Sequence, residues 1–128
     1  MNVLLSIKPE FAFKIFDGTK KYEFRKSIFK KPGVKKVIVY ASSPVQQVIG
    51  EFEIERVLSH DVETLWEMTK EHSGISEDFY FDYFSEKEVA YAIEVKNYEK
   101  YQVPLSIERD FAVSPPQSYR YVANSGKA

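Results

Sequence analysis

The chain contains no cysteine. Disulfides, thiolate catalysis and cysteine zinc sites are thereby excluded. Its only two histidines are His60 and His72, too few for a histidine-rich metal site, so neither a metal nor a cofactor is expected. Five glycines are too few for a glycine-rich phosphate cradle, and no nucleophile elbow or zinc-protease helix is present. No apolar run approaches the roughly 20 residues that span a bilayer. Residues 1–7 are too short for the apolar core of a signal peptide. These absences point to a soluble cytoplasmic protein with no membrane partner.

What is present is aromatic. Ten Phe, nine Tyr and one Trp make up 16% of the 128 residues. In a small chain this implies a β-rich core, and it leaves rings that can stack on a base. The length suits one domain over residues 1–123, with residues 124–128 as a frayed tail. A net charge of −1 conceals an asymmetry: residues 1–36 carry ten Lys or Arg against three acids, the remainder eight against sixteen. Clustered Lys20, Lys21, Arg25, Lys26, Lys30, Lys31, Lys35 and Lys36 can neutralise phosphates. Equally, the basic part can pack beside the acidic part of the same fold.

The periodicity predicts a mixed α+β fold. Residues 3–7 read as a buried strand. Pro9 opens a helix with Phe11, Ala12, Ile15 and Phe16 on one face, and Gly18 stops it. Residues 22–25 begin a strand, and residues 30–36 form a loop around Pro32-Gly33. Residues 37–41 are continuously apolar, as in a strand covered on both sides. Ser42-Ser43-Pro44 breaks that strand. Residues 48–55 alternate, with Phe52 and Ile54 inward and Glu51, Glu53 and Glu55 as a solvent-facing stripe. Gly50 there implies a bend or a close backbone approach, and the phase slip at residues 56–58 implies a bulge.

Asp61 caps a helix to about Glu71 that buries Leu65, Trp66, Met68 and Thr69, and Gly74 ends it. This places His60 at a helix start and His72 near a helix end, where a cation is mildly favoured. Ser76 caps a second helix bearing Phe79, Tyr80, Tyr83 and Phe84. Residues 89–95 form a long strand with residues 98–103 as its hairpin partner. Residues 119–122 are a last strand. Five or six strands, an N-terminal helix and a helical insert suggest a small curled barrel.

The stretch Gly18-Thr19-Lys20-Lys21-Tyr22-Glu23-Phe24-Arg25 carries the chemistry. Strand alternation places Lys21, Glu23 and Arg25 on one face and Tyr22 and Phe24 on the other. An ammonium, a carboxylate and a guanidinium together can bind a polar or anionic ligand and can move a proton. They can also form a self-neutralising solvated face. The topology offers them company at one barrel rim. Lys8 ends the first strand, Ser42 and Ser43 close the apolar strand, and Gln117 and Ser118 follow the rigid Pro115-Pro116.

Residues 4–10 (Leu-Leu-Ser-Ile-Lys-Pro-Glu), a helix ending in Gly18 and then Lys-x-x-Glu-x-Arg resemble the ASCH family of the PUA-like superfamily. Residues 37–44, Gly50-Glu51-Phe52, the insert from Asp61 to Phe84 and Pro116-Gln117-Ser118-Tyr119 are also similar to small stand-alone prokaryotic members. The resemblance implies a β-barrel with a cleft beside the first helix. It implies a role in RNA or nucleotide recognition, or in RNA metabolism. One branch of the family is an acetylcytidine amidohydrolase that uses a Lys, a Thr and a Glu. The resemblance places that Lys on Lys20. The Thr position falls on Glu23 and the Glu position on Ser73, two departures, with Glu71 as an alternative under a shifted register.

Three readings follow. In the first, a cleft binds RNA, a nucleotide or a modified nucleoside. Glu23 accepts from a base amino group or ribose hydroxyl, while Arg25, Lys20 and Lys8 meet phosphate or a base carbonyl. Ser42, Ser43, Gln117 and Ser118 supply neutral hydrogen bonds, and Tyr22 or Tyr40 stacks or serves the core. In the second, Lys20 and Glu23 are catalytic residues of an amidohydrolase acting on an acylated nucleoside. Lys20 then needs a lowered pKa, from burial or from Lys21 or Arg25 nearby. In the third, the basic loop 30–36 contacts a partner protein.

Overall fold

The computed structural model of the chain describes residues 1–123, so the expected tail at 124–128 lies outside the described residues. Strand β1 (Asn2–Ile7) leads into helix α1 (Pro9–Phe16), which has proline in its first turn. A proline there loses no helical hydrogen bond and is already set at a helical φ. The helix ends as expected before Gly18, whose φ of +87° is the left-handed region that favours glycine. Ala12 and Ile15 face the core, and Phe11 and Phe16 flank them.

Strand β2 (Tyr22–Arg25) follows, then β3 (Lys36–Ala41) after the basic loop. β3 runs parallel to β1, with Val3 beside Val37 and Ile7 beside Ala41. Both strands are buried on both faces. Val3, Leu5, Ile7, Val37, Val39 and Ala41 pack with α1 in one cluster. Leu4, Ile38 and Tyr40 pack on the opposite face with Tyr101, Ile107 and Val122. That second cover includes a short helix, α4 (Ile107–Phe111), which the periodicity does not predict. Its Ser106 cap accepts from the Arg109 N–H at 3.1 Å.

Strands β4 (Gln47–Asp61) and β5 (Val89–Leu105) form a long antiparallel ladder, and β6 (Tyr119–Val122) completes the sheet. The order is β2-β5-β4-β3-β1-β6, mixed and not closed. The ladder register shifts in three places, after Val48, Phe52 and Ile54. Each shift adds bend and twist, and the phase slip near Arg56 is one of them. A second expectation is corrected here: residues 89–105 are one bent strand along β4, not a hairpin of two. Asp61 both ends β4 and caps the helix that follows, which puts exposed His60 inside the strand.

The glutamate stripe also divides. Glu51 stands opposite Ile38, on the face of the second cluster, and is only 4% exposed. Lys36 Nζ meets its Oε2 at 2.9 Å, and the Tyr101 hydroxyl donates to Oε1 at 2.8 Å. The chain returning through β5 and α4 covers this end of the strand, so only Glu55, beyond the bend, is fully exposed. A buried carboxylate persists because it is both paired and hydrogen-bonded.

Between β4 and β5 lies the insert: α2 (Val62–Thr69), a 3-10 turn (Lys70–His72) and α3 (Glu77–Tyr83). Asp61 and Ser76 cap the two helices as expected, accepting from Thr64 and Phe79 amides at 3.0 and 3.1 Å. Leu65, Trp66, Tyr80 and Phe84 pack on Phe24, Leu58, Ala90 and Ala92. Met68, expected inward, is exposed. No helix among the described residues is long and apolar enough to cross a membrane.

Gly50 sits where the ladder leaves no room for a side chain. A Cβ there would stand 2.6 Å from the Glu99 carbonyl oxygen and 2.6 Å from the Phe16 ring. Gly50→Ala should therefore lower unfolding free energy by about 1–3 kcal/mol, the usual cost of overpacking. A urea melt with an unchanged midpoint would show that the strands part there freely.

Candidate functional site

The four segments that the topology brings to one rim do meet. Lys8 precedes α1, Lys20 precedes β2, and Glu23 and Arg25 lie within β2. Ser42 and Ser43 follow β3, and Gln117 and Ser118 precede β6. All eight line one cavity of about 640 Å³. That volume is in the range of small-molecule sites. Lys21 does not line it.

Arg25 is the most engaged side chain. Its Nη1 donates to the Ser6 carbonyl and to Glu23 Oε2, each at 3.2 Å. Its Nη2 donates to both the carbonyl and the hydroxyl of Ser118, each at 3.0 Å. The sheet order puts β2 and β6 at opposite edges. One guanidinium thus joins the two ends of an open sheet. The geometry alters the role read from sequence: with four N–H···O contacts committed, Arg25 holds the cavity wall and has little left for a phosphate.

Glu23 is 6% exposed. Its Oε2 is held by Arg25, and among the described residues no donor meets Oε1. It can accept one or two hydrogen bonds from a ligand while keeping its anchor.

Lys20 is 2% exposed. Its Nζ donates to the Ser73 carbonyl at 2.8 Å and lies 4.8 Å from the Phe24 ring centre and 5.4 Å from that of Phe11. Burial pushes its pKa down from 10.5 to about 8; Glu23 partly restores it, and Lys14 lowers it further. Burial is thus the leading cause, and the helping cation is Lys14 rather than Lys21 or Arg25. Lys14 itself donates to the Gly74 carbonyl at 3.0 Å. Gly74 has φ +71°, and a Cβ on it would meet the Lys20 stem at 2.6 Å.

Ser73, the position matched to the family glutamate, is therefore adjacent to Lys20, but through its carbonyl. Its hydroxyl donates to the Ile75 carbonyl at 3.0 Å, inside a local turn. Glu71 is exposed and does not line the cavity. Neither His60 nor His72 lines it. Among the described residues no group of three His, Cys, Asp or Glu could hold a metal ion.

The basic segment disperses. Lys36 pairs with Glu51. Lys31 lies 4.7 Å from the Tyr121 ring centre, and the Tyr121 hydroxyl accepts from the Lys30 and Lys31 amides. Lys26 stands at the cavity.

Sequence reasoning missed the aromatic wall. Of the two tyrosines offered for stacking, Tyr22 packs on Phe24 outside the cavity, and Tyr40 lines it from a buried position. The exposed ring at the cavity is Phe79 of α3, with half-buried Tyr83 beside it and Phe11 of α1 behind. The i, i+4 spacing of Phe79 and Tyr83 is visible in the sequence, but nothing there separates them from Tyr80 and Phe84 on the same helix. Burial pushes the Tyr83 phenol pKa up; Arg25 lowers and Glu23 raises it.

The family model for the ASCH domain matches residues 5–100. Over 125 residues the chain is 32% identical to the ASCH domain-containing ribonuclease of Zymomonas mobilis, covering 94% of this chain and 84% of that protein. It is also 32% identical over 122 residues to a Ureaplasma parvum protein named ATP synthase subunit alpha, covering 94% of this chain and 15% of that protein. A crystal structure of ASCH from Zymomonas mobilis matches with a TM-score of 0.87 at 32% identity, covering 95% of this chain and 87% of that one.

Two outcomes follow from the geometry. Arg25→Lys cannot reproduce the fork and should cost about 2 kcal/mol or more, because buried acceptors lose a charged donor; equal melting of variant and native chains would refute this. For Lys20, the folded pKa is depressed. Below about pH 8 both folded and unfolded chains hold the proton, and between about 8 and 10.5 the unfolded chain holds more. Stability should rise across that window relative to Lys20→Met. A lysine 13Cε resonance with a midpoint near 8, absent from Lys20→Met, would mark the group; a midpoint near 10.5 would refute the assignment.

Proposed function

The chain belongs to the ASCH domain family, and from that premise we propose that its PUA-like fold binds RNA, a nucleotide or a modified nucleoside in the cavity beside α1. The observation that carries this reading is Glu23: a buried carboxylate, anchored on one oxygen, inside a cavity whose other charges are cationic. An acid so placed is suited to an amino or imino donor of a base, or to a ribose hydroxyl. Lys8 and Lys26, exposed at the same cavity, suit phosphate oxygens. Ser42, Ser43, Gln117 and Ser118 supply neutral partners. The name of the Zymomonas relative, a ribonuclease, supports RNA as the class of ligand.

A second reading, hydrolysis in the same cavity, is favoured by Lys20. An amine with a pKa near 8 exchanges protons close to neutrality, and Glu23 tunes it electrostatically. The substrate is then either RNA or an acylated nucleoside such as acetylcytidine. The acylated nucleoside has less support, because Ser73 brings no carboxylate to Lys20.

Binding to short RNAs and a nucleoside panel, with products followed by mass spectrometry, tests both. Native protein should bind RNA in a salt-sensitive way, and Lys8→Glu should weaken it by about tenfold. Loss of product with retained binding in Lys20→Met would establish catalysis. Absence of binding across the panel would sink the recognition reading.

A further inference from the structure

Helix α3 has two aromatic faces. Tyr80 and Phe84 are buried and fasten it to β2 and β5. Phe79 and Tyr83 line the cavity. Their rings are nearly parallel, 11° apart with centres at 6.3 Å. Phe79 is 36% exposed, more than core packing requires, and Phe11 meets it in a T-shaped contact with ring centres 5.1 Å apart. Each ring has an ammonium over it: Lys8 Nζ at 5.5 Å from Phe79 and Lys26 Nζ at 4.8 Å from Tyr83.

We propose that Phe79 and Tyr83 are a stacking wall for an unpaired nucleobase, and that Lys8 and Lys26 occupy the wall until a base replaces them. This rests on the nucleic-acid reading above and narrows it to single-stranded RNA. Exposed cation–π contacts are weak and depend on long, flexible side chains. A base has a larger planar face and gains more from the same ring. The two ammonium groups it displaces stay tethered beside it, where the adjoining phosphates lie. Ring and lysine thus exchange one weak contact for two stronger ones. A paired base offers no free face and no free donor edge, so a duplex gains neither the wall nor Glu23. Tyr83 and Glu23 line the same cavity, so a base on the wall can turn its edge toward the carboxylate.

Phe79 is exposed and its replacement leaves the core of α3 intact. Four ligands should be titrated against native protein, Phe79→Leu and Phe79→Trp: a short single-stranded RNA, the same RNA with abasic positions, its duplex, and inorganic phosphate. Phe79→Leu should lose about tenfold for the single strand and nothing for the abasic strand or phosphate. Phe79→Trp should bind the single strand at least as well as native protein, with its added indole emission quenched on binding. The duplex should bind native protein more weakly than the single strand. Equal binding of the single strand by native and Leu variants would overturn the stacking wall and leave RNA recognition standing. A duplex bound as tightly as the single strand would overturn it too. If native protein binds no RNA at all, the recognition reading falls, and the wall with it.

Discussion

An open sheet with a cavity at its seam needs something to hold its edges together, and here that is one guanidinium. Backbone ladders run from β2 to β6 without joining them. Arg25 spans the gap, taking the carbonyls of Ser6 and Ser118 and the hydroxyl of Ser118. On the β6 side of that gap Ser6 extends the β1–β6 pairing, its hydroxyl donating to the Pro116 carbonyl and its amide to the Ser118 carbonyl. The same arginine fixes Glu23. Strand ends that are remote in sequence therefore reach a common position through a side chain, and the cavity wall inherits its geometry from that side chain. Arginine suits the task because its donors are fixed in a plane and it stays charged when partly buried.

The insert is docked by similar means. The carbonyls of His72, Ser73 and Gly74, at the end of the 3-10 turn, receive the Lys21 amide, Lys20 Nζ and Lys14 Nζ. The end of a helical segment is the place where unpaired carbonyls favour cations. Gly74 keeps the turn flat enough for the Lys20 stem to pass. The burial that makes this contact also lowers the lysine pKa, so docking and chemical poise have one cause.

Much of the fold was legible because it rests on local pattern. The two-sided burial of residues 37–41, the Pro9 start, the Asp61 and Ser76 caps and the close approach at Gly50 each have a short-range signature. What failed depended on distant chain. Glu51 alternates like a surface residue and is buried because Tyr101, fifty positions on, covers it. Residues 98–103 looked like a hairpin partner, but β4 is long enough to take the whole of β5 as one strand. Helix α4 has five residues, too few to leave a period. At the cavity, the eight polar residues share strand ends and so were accessible to topology. The committed state of Arg25 and the outward face of α3 were not, since each is decided by a segment roughly fifty to ninety positions away in the sequence.

The depth at which each charge sits explains what the cavity can select. Segment 1–36 carries the positive excess, but much of it is used internally, at Lys20, Arg25 and Lys36. Lys8 and Lys26 remain exposed at the cavity, while Glu23 lies buried within it. On the proposed reading, a simple polyanion is drawn to the mouth and meets repulsion at Glu23, the one carboxylate on the cavity lining among the described residues. A neutral donor fits the interior but gains nothing from the lysines. A ligand with an anionic part outward, a hydrogen-bond donor inward and a flat apolar body between them satisfies all three regions together. On the proposed reading, that division of charge by depth lets a small, nearly neutral protein favour a nucleotide over phosphate without needing a wide basic face.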